Sequence, residues 1–172
     1  LRYRLVQLYE SRKDFQSAQR NVEVLYRENP KILGVVRSTV DFYWRTKNYA
    51  PAIAVLLQAS KDAYPELSKQ FVFEAARKSS DAGQYAQAQE LLAALLKTSP
   101  YDGQYLAAMA ETYAQAGDDR GLRQFYLDKI ALFRTAPFSG DERKARIATL
   151  RRGLVPALTR MKDYAGAIDQ YV

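Results

Sequence analysis

The stretch Lys13-Asp14-Phe15-Gln16-Ser17-Ala18 decides the fold, because the chain repeats its pattern. The further copies are Lys47-Asn48-Tyr49-Ala50-Pro51-Ala52, Gly83-Gln84-Tyr85-Ala86-Gln87-Ala88 and Lys162-Asp163-Tyr164-Ala165-Gly166-Ala167. Each copy has a turn residue, an aromatic residue and an alanine three positions after the aromatic. The first three aromatics are separated by 34 residues (15 to 49) and then by 36 residues (49 to 85). A fixed period in the thirties predicts stacked structural repeats.

Composition favours an all-helical chain. Hydrophobic residues make up 48% of the 172 positions, which is enough for the core of one domain. Ala, Leu, Gln, Glu, Lys and Arg dominate, and the 8 glycines and 6 prolines stand at spaced points rather than in clusters. Residues of this kind have high helix propensity. We therefore predict a single all-α domain over residues 1–172.

The absence of cysteine and histidine narrows the chemistry. With neither residue type present, thiol chemistry, disulfides, histidine acid–base catalysis and His/Cys metal sites are excluded from this sequence, and we predict no cofactor. No apolar run approaches the roughly 18 residues that a membrane-spanning helix needs. The helical pattern already present at both termini indicates part of a longer chain. The sequence does not indicate a compartment.

Prolines and turn residues divide the sequence into approximate repeats. Pro30, Pro65 and Pro100 follow the second helix of a repeat, because helix interiors do not tolerate proline. Asp14 is a predicted N-cap, and Gly83 is predicted to adopt a left-handed conformation at the end of a first helix. The predicted repeats are 1–30, 31–66, 67–100, 101–137 and 138–172, the last of them incomplete.

The fourth repeat departs from the pattern. Asp119 stands in place of the aromatic and Leu122 in place of the alanine. An insertion follows, in which residues 135–140 are predicted to form a longer loop and Ser139 or Asp141 to cap a new helix. Gly153 and Pro156 predict a kink or break within that helix.

With this period, two helices per repeat, an alanine near the start of each second helix and a closing proline, the chain resembles the tetratricopeptide repeat (TPR) family. The resemblance covers nearly the whole sequence, although the tryptophan expected in the first helix is replaced by Arg2, Val36, Val72, Leu106 and Arg151. It implies a right-handed superhelical stack of antiparallel helix hairpins, an α-solenoid whose first helices line a concave face. The same stacking is expected physically, because a single hairpin cannot bury its apolar face.

The resemblance also implies a function. TPR-like stacks are non-catalytic scaffolds that bind a peptide or protein partner in the concave groove. The groove positions implied in this sequence are Tyr3, Gln7, Arg37, Asp41, Trp44, Arg45, Phe73, Arg77, Glu111 and Arg152, with Glu10, Gln70, Ser80, Gln104, Ala107 and Arg160 beside them.

The groove residues indicate the kind of partner. The lysine–asparagine clamp with which some TPR proteins hold a C-terminal carboxylate is replaced by Tyr3 and Gln7. The arginines favour an extended acidic or mixed-charge peptide, which they would bind through charge-assisted hydrogen bonds. Trp44 has two interpretations: contact with the partner, or packing against the neighbouring repeat.

Two other functions stay open. The chain has a net charge of +7, and residues 141–162 carry a basic cluster, which suggests nucleic-acid binding, with RNA as the ligand. A spacer or oligomerisation arm is the other hypothesis, because Ile168 and Tyr171 leave the last helix open for self-association. An enzyme is not predicted, since the acid pairs 118–119 and 141–142 lie at helix starts, where capping explains them.

Overall fold

The fold of residues 2–171, the part of the chain that the structure describes, is known from a computed structural model and is all-helical. Its ten helices are α1 (Arg2–Ser11), α2 (Phe15–Glu28), α3 (Leu33–Arg45), α4 (Tyr49–Asp62), α5 (Pro65–Asp81), α6 (Tyr85–Thr98), α7 (Gly103–Gln115), α8 (Asp119–Arg134), α9 (Gly140–Arg160) and α10 (Tyr164–Ile168). The helices α1 and α2, α3 and α4, α7 and α8, and α9 and α10 pack together as hairpins, so the all-α prediction and the repeat architecture are confirmed. None of the described helices is both long and apolar enough to cross a membrane.

One turn geometry closes all five described hairpins. Each turn has three residues, and its middle residue has a positive φ. The amide of the third turn residue donates to the carbonyl oxygen five positions earlier, at 2.8–3.0 Å. This is the Schellman ending of a helix. The middle residues are Lys13 (59°), Lys47 (60°), Gly83 (76°), Gly117 (69°) and Lys162 (62°).

The third turn residue serves both helices of a hairpin. Its backbone closes the first helix, and in three hairpins its aspartate side chain caps the second. Asp14 accepts from the amide of Ser17, as the sequence predicts, and the same bond recurs from Gly121 to Asp118 and from Gly166 to Asp163. Such caps contribute about 1 kcal/mol each. The repeated phrase in the sequence therefore marks a shared backbone structure.

Exchanging lysine and glycine at this turn should change stability in opposite directions. A non-glycine residue in the left-handed region is strained by about 1 kcal/mol. Lys47→Gly is therefore expected to raise the free energy of unfolding by up to about 1 kcal/mol, and Gly83→Ala to lower it by a similar amount. A Cβ added at Gly83 meets no atom within 4 Å, so the expected loss of stability comes from backbone strain and not from a steric clash. Urea unfolding of both variants measures the effect; changes of equal sign would contradict it.

The repeated alanine lies in the core of each hairpin that has it. Ala18, Ala52 and Ala88 are completely buried, and Ala167 is 8% exposed. In the fourth hairpin Leu122 takes this position and is also buried. A small side chain at this point permits the helices of a hairpin to approach each other closely.

The insertion forms the long helix α9. Ser139 caps it by accepting from the amide of Glu142 at 3.3 Å, in agreement with one of the two predicted caps. The predicted break is wrong, because α9 is one helix of 21 residues with Pro156 inside it; the alternative, a kink, stays a prediction. A Cβ on Gly153 would lie 2.5 Å from the hydroxyl oxygen of Tyr126 in α8. Gly153 therefore makes room for the side chain of Tyr126 and does not interrupt the helix.

The chain divides into two compact units, Leu1–Leu95 (unit 1) and Leu96–Val172 (unit 2). The boundary falls within α6. In unit 1 the core is built from α1 to α5 and includes Phe42, Ile53 and Leu56. In unit 2, α7, α8, α9 and α10 pack in chain order. The single domain expected over residues 1–172 stays a prediction.

Candidate functional site

A cavity of about 370 Å³ opens in unit 1 against the first helices of the first two repeats. It lies between α1, α2 and the face of α3 that carries the charged residues. Its lining residues are Tyr3, Val6, Gln7, Glu10, Val22, Leu25, Gly34, Arg37, Ser38, Asp41, Phe42 and Arg45. We call it the unit 1 cavity.

Charged side chains of alternating sign line the unit 1 cavity. Arg37, Asp41 and Arg45 follow one another at four-residue spacing on α3, so they share one helix face. Across from them, Glu10 of α1 binds Arg45, with Oε1 and Nη2 2.7 Å apart. The Arg45 side chain is 59% exposed and that of Glu10 is 21% exposed, so this ion pair adds at most about 1 kcal/mol to stability. Two cations and two carboxylates balance each other in charge.

The remaining lining is apolar. Val6, Val22 and Phe42 are buried core residues that also face the cavity. Gly34, in the first turn of α3, would present an added Cβ to open space, with no atom within 4 Å. A side chain at position 34 would therefore extend without a backbone clash. The cavity thus combines apolar lining with charged groups at its exposed side.

Five of the ten groove residues inferred from the sequence line this one cavity. They are Tyr3, Gln7, Arg37, Asp41 and Arg45. Phe73 and Arg77 are on α5 of the same unit, Phe73 half-buried and Arg77 exposed. Glu111 and Arg152 are exposed residues of unit 2. Partner contact by any of the ten stays a prediction.

Trp44 makes contacts within the chain. Its ring lies 4.6 Å from the ring of Tyr49, centroid to centroid. The Nζ of Lys78, on α5, is 4.2 Å from the centroid of the Trp44 ring, which is a cation–π distance. Trp44 is not among the residues that line the unit 1 cavity. These contacts favour the packing interpretation, because they join the second and third repeats.

Sequence reasoning missed the part of the site that the second helix contributes. Val22 and Leu25 belong to α2, whereas the inferred groove residues were all taken from first helices. Gly34 was also missed. The feature of the sequence that could have indicated it is a glycine within a helix-forming segment, because glycine in a helix is less stable than alanine by up to about 1 kcal/mol.

Four of the seven Lys and Arg side chains in the basic segment 141–162 bind oxygen atoms of unit 2. Arg143 donates to the carbonyl oxygens of Ala136 and Phe138, and its side chain is half-buried. Arg146 pairs with Glu142 at 2.9 Å. Arg160 binds Asp119 at 2.6 Å, which raises the pKa of the arginine through the hydrogen bond from its side chain.

The acid pairs predicted to cap helices lie at helix starts. Asp118 caps α8, and Asp119 is the first residue of that helix. Asp141 and Glu142 lie in the first turn of α9, where negative charge stabilises the helix dipole. Ile168 and Tyr171, the two residues that suggested self-association, are exposed, at 65% and 71%. Self-association through them stays a prediction.

Solved structures with similar folds cover almost the whole chain. The TPR-like repeats of a kinesin light chain protein from Podospora anserina are 16% identical, with a TM-score of 0.58 over 99% of this chain and 90% of that one. A variant of those repeats, in which a methionine replaces one glutamine, is also 16% identical, with a TM-score of 0.56 over 99% and 89%. A double mutant of MamA (RS-1 ArsTM) is 13% identical, with a TM-score of 0.55 over 99% and 88%. No protein-family model and no curated protein matches the sequence.

Proposed function

We propose that this chain, which has the fold of TPR-like helical repeat proteins, is a non-catalytic protein-interaction module. Its ligand would be an extended peptide segment of a partner protein, held in the unit 1 cavity. The observation that carries the proposal is the cavity itself, about 370 Å³ in volume and lined by five residues of the groove that the sequence implies.

The chemistry of the cavity favours a peptide of mixed charge. Its apolar lining, which includes Val6 and Phe42, would receive an aliphatic or aromatic side chain. Arg37 would pair with an acidic residue of the peptide and Asp41 with a basic one. Because Arg45 already binds Glu10, a uniformly acidic peptide would meet only one arginine without a described acidic partner and would be repelled by Asp41.

RNA binding receives less support from the same contacts. A nucleic-acid site needs cations that are available for phosphate groups. Arg143 and Arg160 bind oxygen atoms of unit 2 instead.

Filling the unit 1 cavity should abolish peptide binding. A phage-displayed library of random peptides would be selected on the wild-type chain, and the affinity of the selected peptides measured by fluorescence polarisation. Gly34→Phe, whose ring would occupy the cavity, is expected to weaken binding at least about tenfold, a loss of about 1.4 kcal/mol. Arg37→Glu should weaken the binding of those selected peptides that need an acidic residue for their affinity.

Two variants control this experiment. Gly34→Ala adds only a Cβ, for which the space is open, and should leave binding unchanged. Gly103→Phe makes the same large change at the first residue of α7 in unit 2 and should also bind normally. Circular dichroism checks that each variant is folded. Selected peptides that bind folded Gly34→Phe as well as wild type would reject the unit 1 cavity as the binding site.

A further inference from the structure

We propose that unit 2 has a binding site of its own, a cavity between α7, α8 and α9 that takes a small aromatic anion of about two fused rings. The cavity has a volume of about 360 Å³. Its lining residues are Tyr101, Gly103, Leu106, Ala107, Tyr126, Phe133, Arg146, Thr149 and Leu150. This inference does not depend on the peptide site in unit 1.

Aromatic side chains fix one wall of this unit 2 cavity. The ring of Tyr101 meets Phe133 at 5.2 Å and Phe138 at 5.0 Å between centroids, in edge-to-face arrangements. Phe133 and Phe138 are 5.7 Å apart. Edge-to-face contacts of this kind add about 0.5–1.5 kcal/mol each beyond the area that they bury. The wall is therefore held in place before any ligand enters, and it favours a flat aromatic ligand.

Arg146 supplies the positive charge. Its guanidinium lies over the ring of Phe138, 4.5 Å from the centroid, and its Nε donates to Glu142 at 2.9 Å. These two contacts hold the group at the cavity. A guanidinium has further N–H donors beyond Nε, in a fork that matches a carboxylate or sulfonate. The positive charge beside a mainly apolar lining argues for an anionic group at one end of the ligand.

The remaining polar groups are hydroxyls. The Thr149 hydroxyl donates to the carbonyl oxygen of Ala145 in its own helix and accepts from Nη2 of Arg152, so it has no donor left for a ligand. A tyrosine hydroxyl is protonated at neutral pH and burial raises the pKa of Tyr126 further, so this hydroxyl is able to donate.

The size of the cavity sets the size of the ligand. A dry apolar cavity of roughly 150 Å³ is large enough to hold benzene. About 360 Å³ therefore accommodates a two-ring aromatic with a short acidic substituent. The volume also falls in the range of roughly 300–1,000 Å³ that small-molecule sites occupy, with apolar walls and few polar groups.

Naphthalene-2-carboxylate is the probe that tests the site, with 2-naphthalenemethanol as its neutral counterpart. Binding of each to the full chain would be measured by isothermal titration calorimetry. We expect the carboxylate to bind the wild type with a Kd below about 1 mM. Gly103→Phe, whose ring would occupy the cavity, should abolish binding of both compounds. A Cβ at Gly103 meets nothing within 4 Å, so the substitution does not clash at its base.

Arg146→Gln separates charge from shape. It should weaken binding of the carboxylate about tenfold and leave the affinity for the neutral compound unchanged. Arg120→Gln removes the same charge from an exposed position of α8 outside the cavity and should leave the affinity for both compounds unchanged. The proposal is overturned if the carboxylate fails to bind at about 1 mM, if folded Gly103→Phe binds it normally, or if Arg146→Gln weakens both compounds equally. Binding of the naphthyl group only when a peptide carries it would also overturn the proposal, in favour of a protein partner.

Discussion

Phe133→Ala is expected to lower the free energy of unfolding of unit 2 by about 3–5 kcal/mol. Phe133 is 2% exposed and is among the largest fully buried side chains of the described residues. It also makes aromatic contacts with Tyr101 and Phe138. Truncation would remove the apolar burial of the ring and leave a void in the wall of the unit 2 cavity. Urea unfolding followed by circular dichroism measures the loss.

Phe15→Ala is the matched control for this truncation. Phe15 is also a phenylalanine in a helix, but it is 51% exposed. Its removal should lower the free energy of unfolding by less than about 1 kcal/mol, because surface substitutions usually have small effects. Equal losses for the two variants would mean that Phe133 is not a core residue.

Ala52→Leu is expected to lower the free energy of unfolding of unit 1 by about 1–3 kcal/mol, through overpacking. Ala52 is completely buried in the core of unit 1, where α3 packs on α4. A leucine would have to push the helices apart or adopt a strained rotamer. Trp44, the only tryptophan in the sequence, lies in unit 1, so its fluorescence follows the unfolding of this unit.

Ala54→Leu makes the same change on the same helix at an exposed position. Alanine and leucine have similar helix propensities, so this control should change stability by less than about 0.5 kcal/mol. If Ala52→Leu proved as harmless as Ala54→Leu, the close approach of helices at the repeated alanine would be wrong.

The sequence predicted the fold well because its signal is repetition of a local structure. The turn, the cap at Asp14, the left-handed Gly83 and the buried alanines all depend on residues within one hairpin. The error at Gly153 has a long-range cause. A glycine in a helix predicts weakness, but here it provides room for the ring of Tyr126 from another helix, and no sequence spacing reveals that pair.

The candidate site was less predictable. The cavity residues of α1 and α3 follow from helix periodicity, so Tyr3, Gln7 and Arg37 could be inferred. The ion pair between Glu10 and Arg45 could not, because it joins two repeats through the conformations of long side chains. The contact of Lys78 with Trp44 could not be inferred either, because it also joins two repeats through a long side chain. The unit 2 cavity could not be inferred either, because three of its nine lining residues are on α9, which follows the insertion and is out of register with the repeats.

The shared hairpin turn has a consequence for engineering. Since all five described turns have the same backbone conformation, the three-residue sequence of one turn can replace that of another. Ala116-Gly117-Asp118 joins a strain-free glycine to a capping carboxylate, a combination that the other four turns lack. Transplanting this triplet to positions 12–14, 46–48, 82–84 and 161–163 is expected to give a more heat-resistant protein in which no residue that lines the unit 1 cavity is changed.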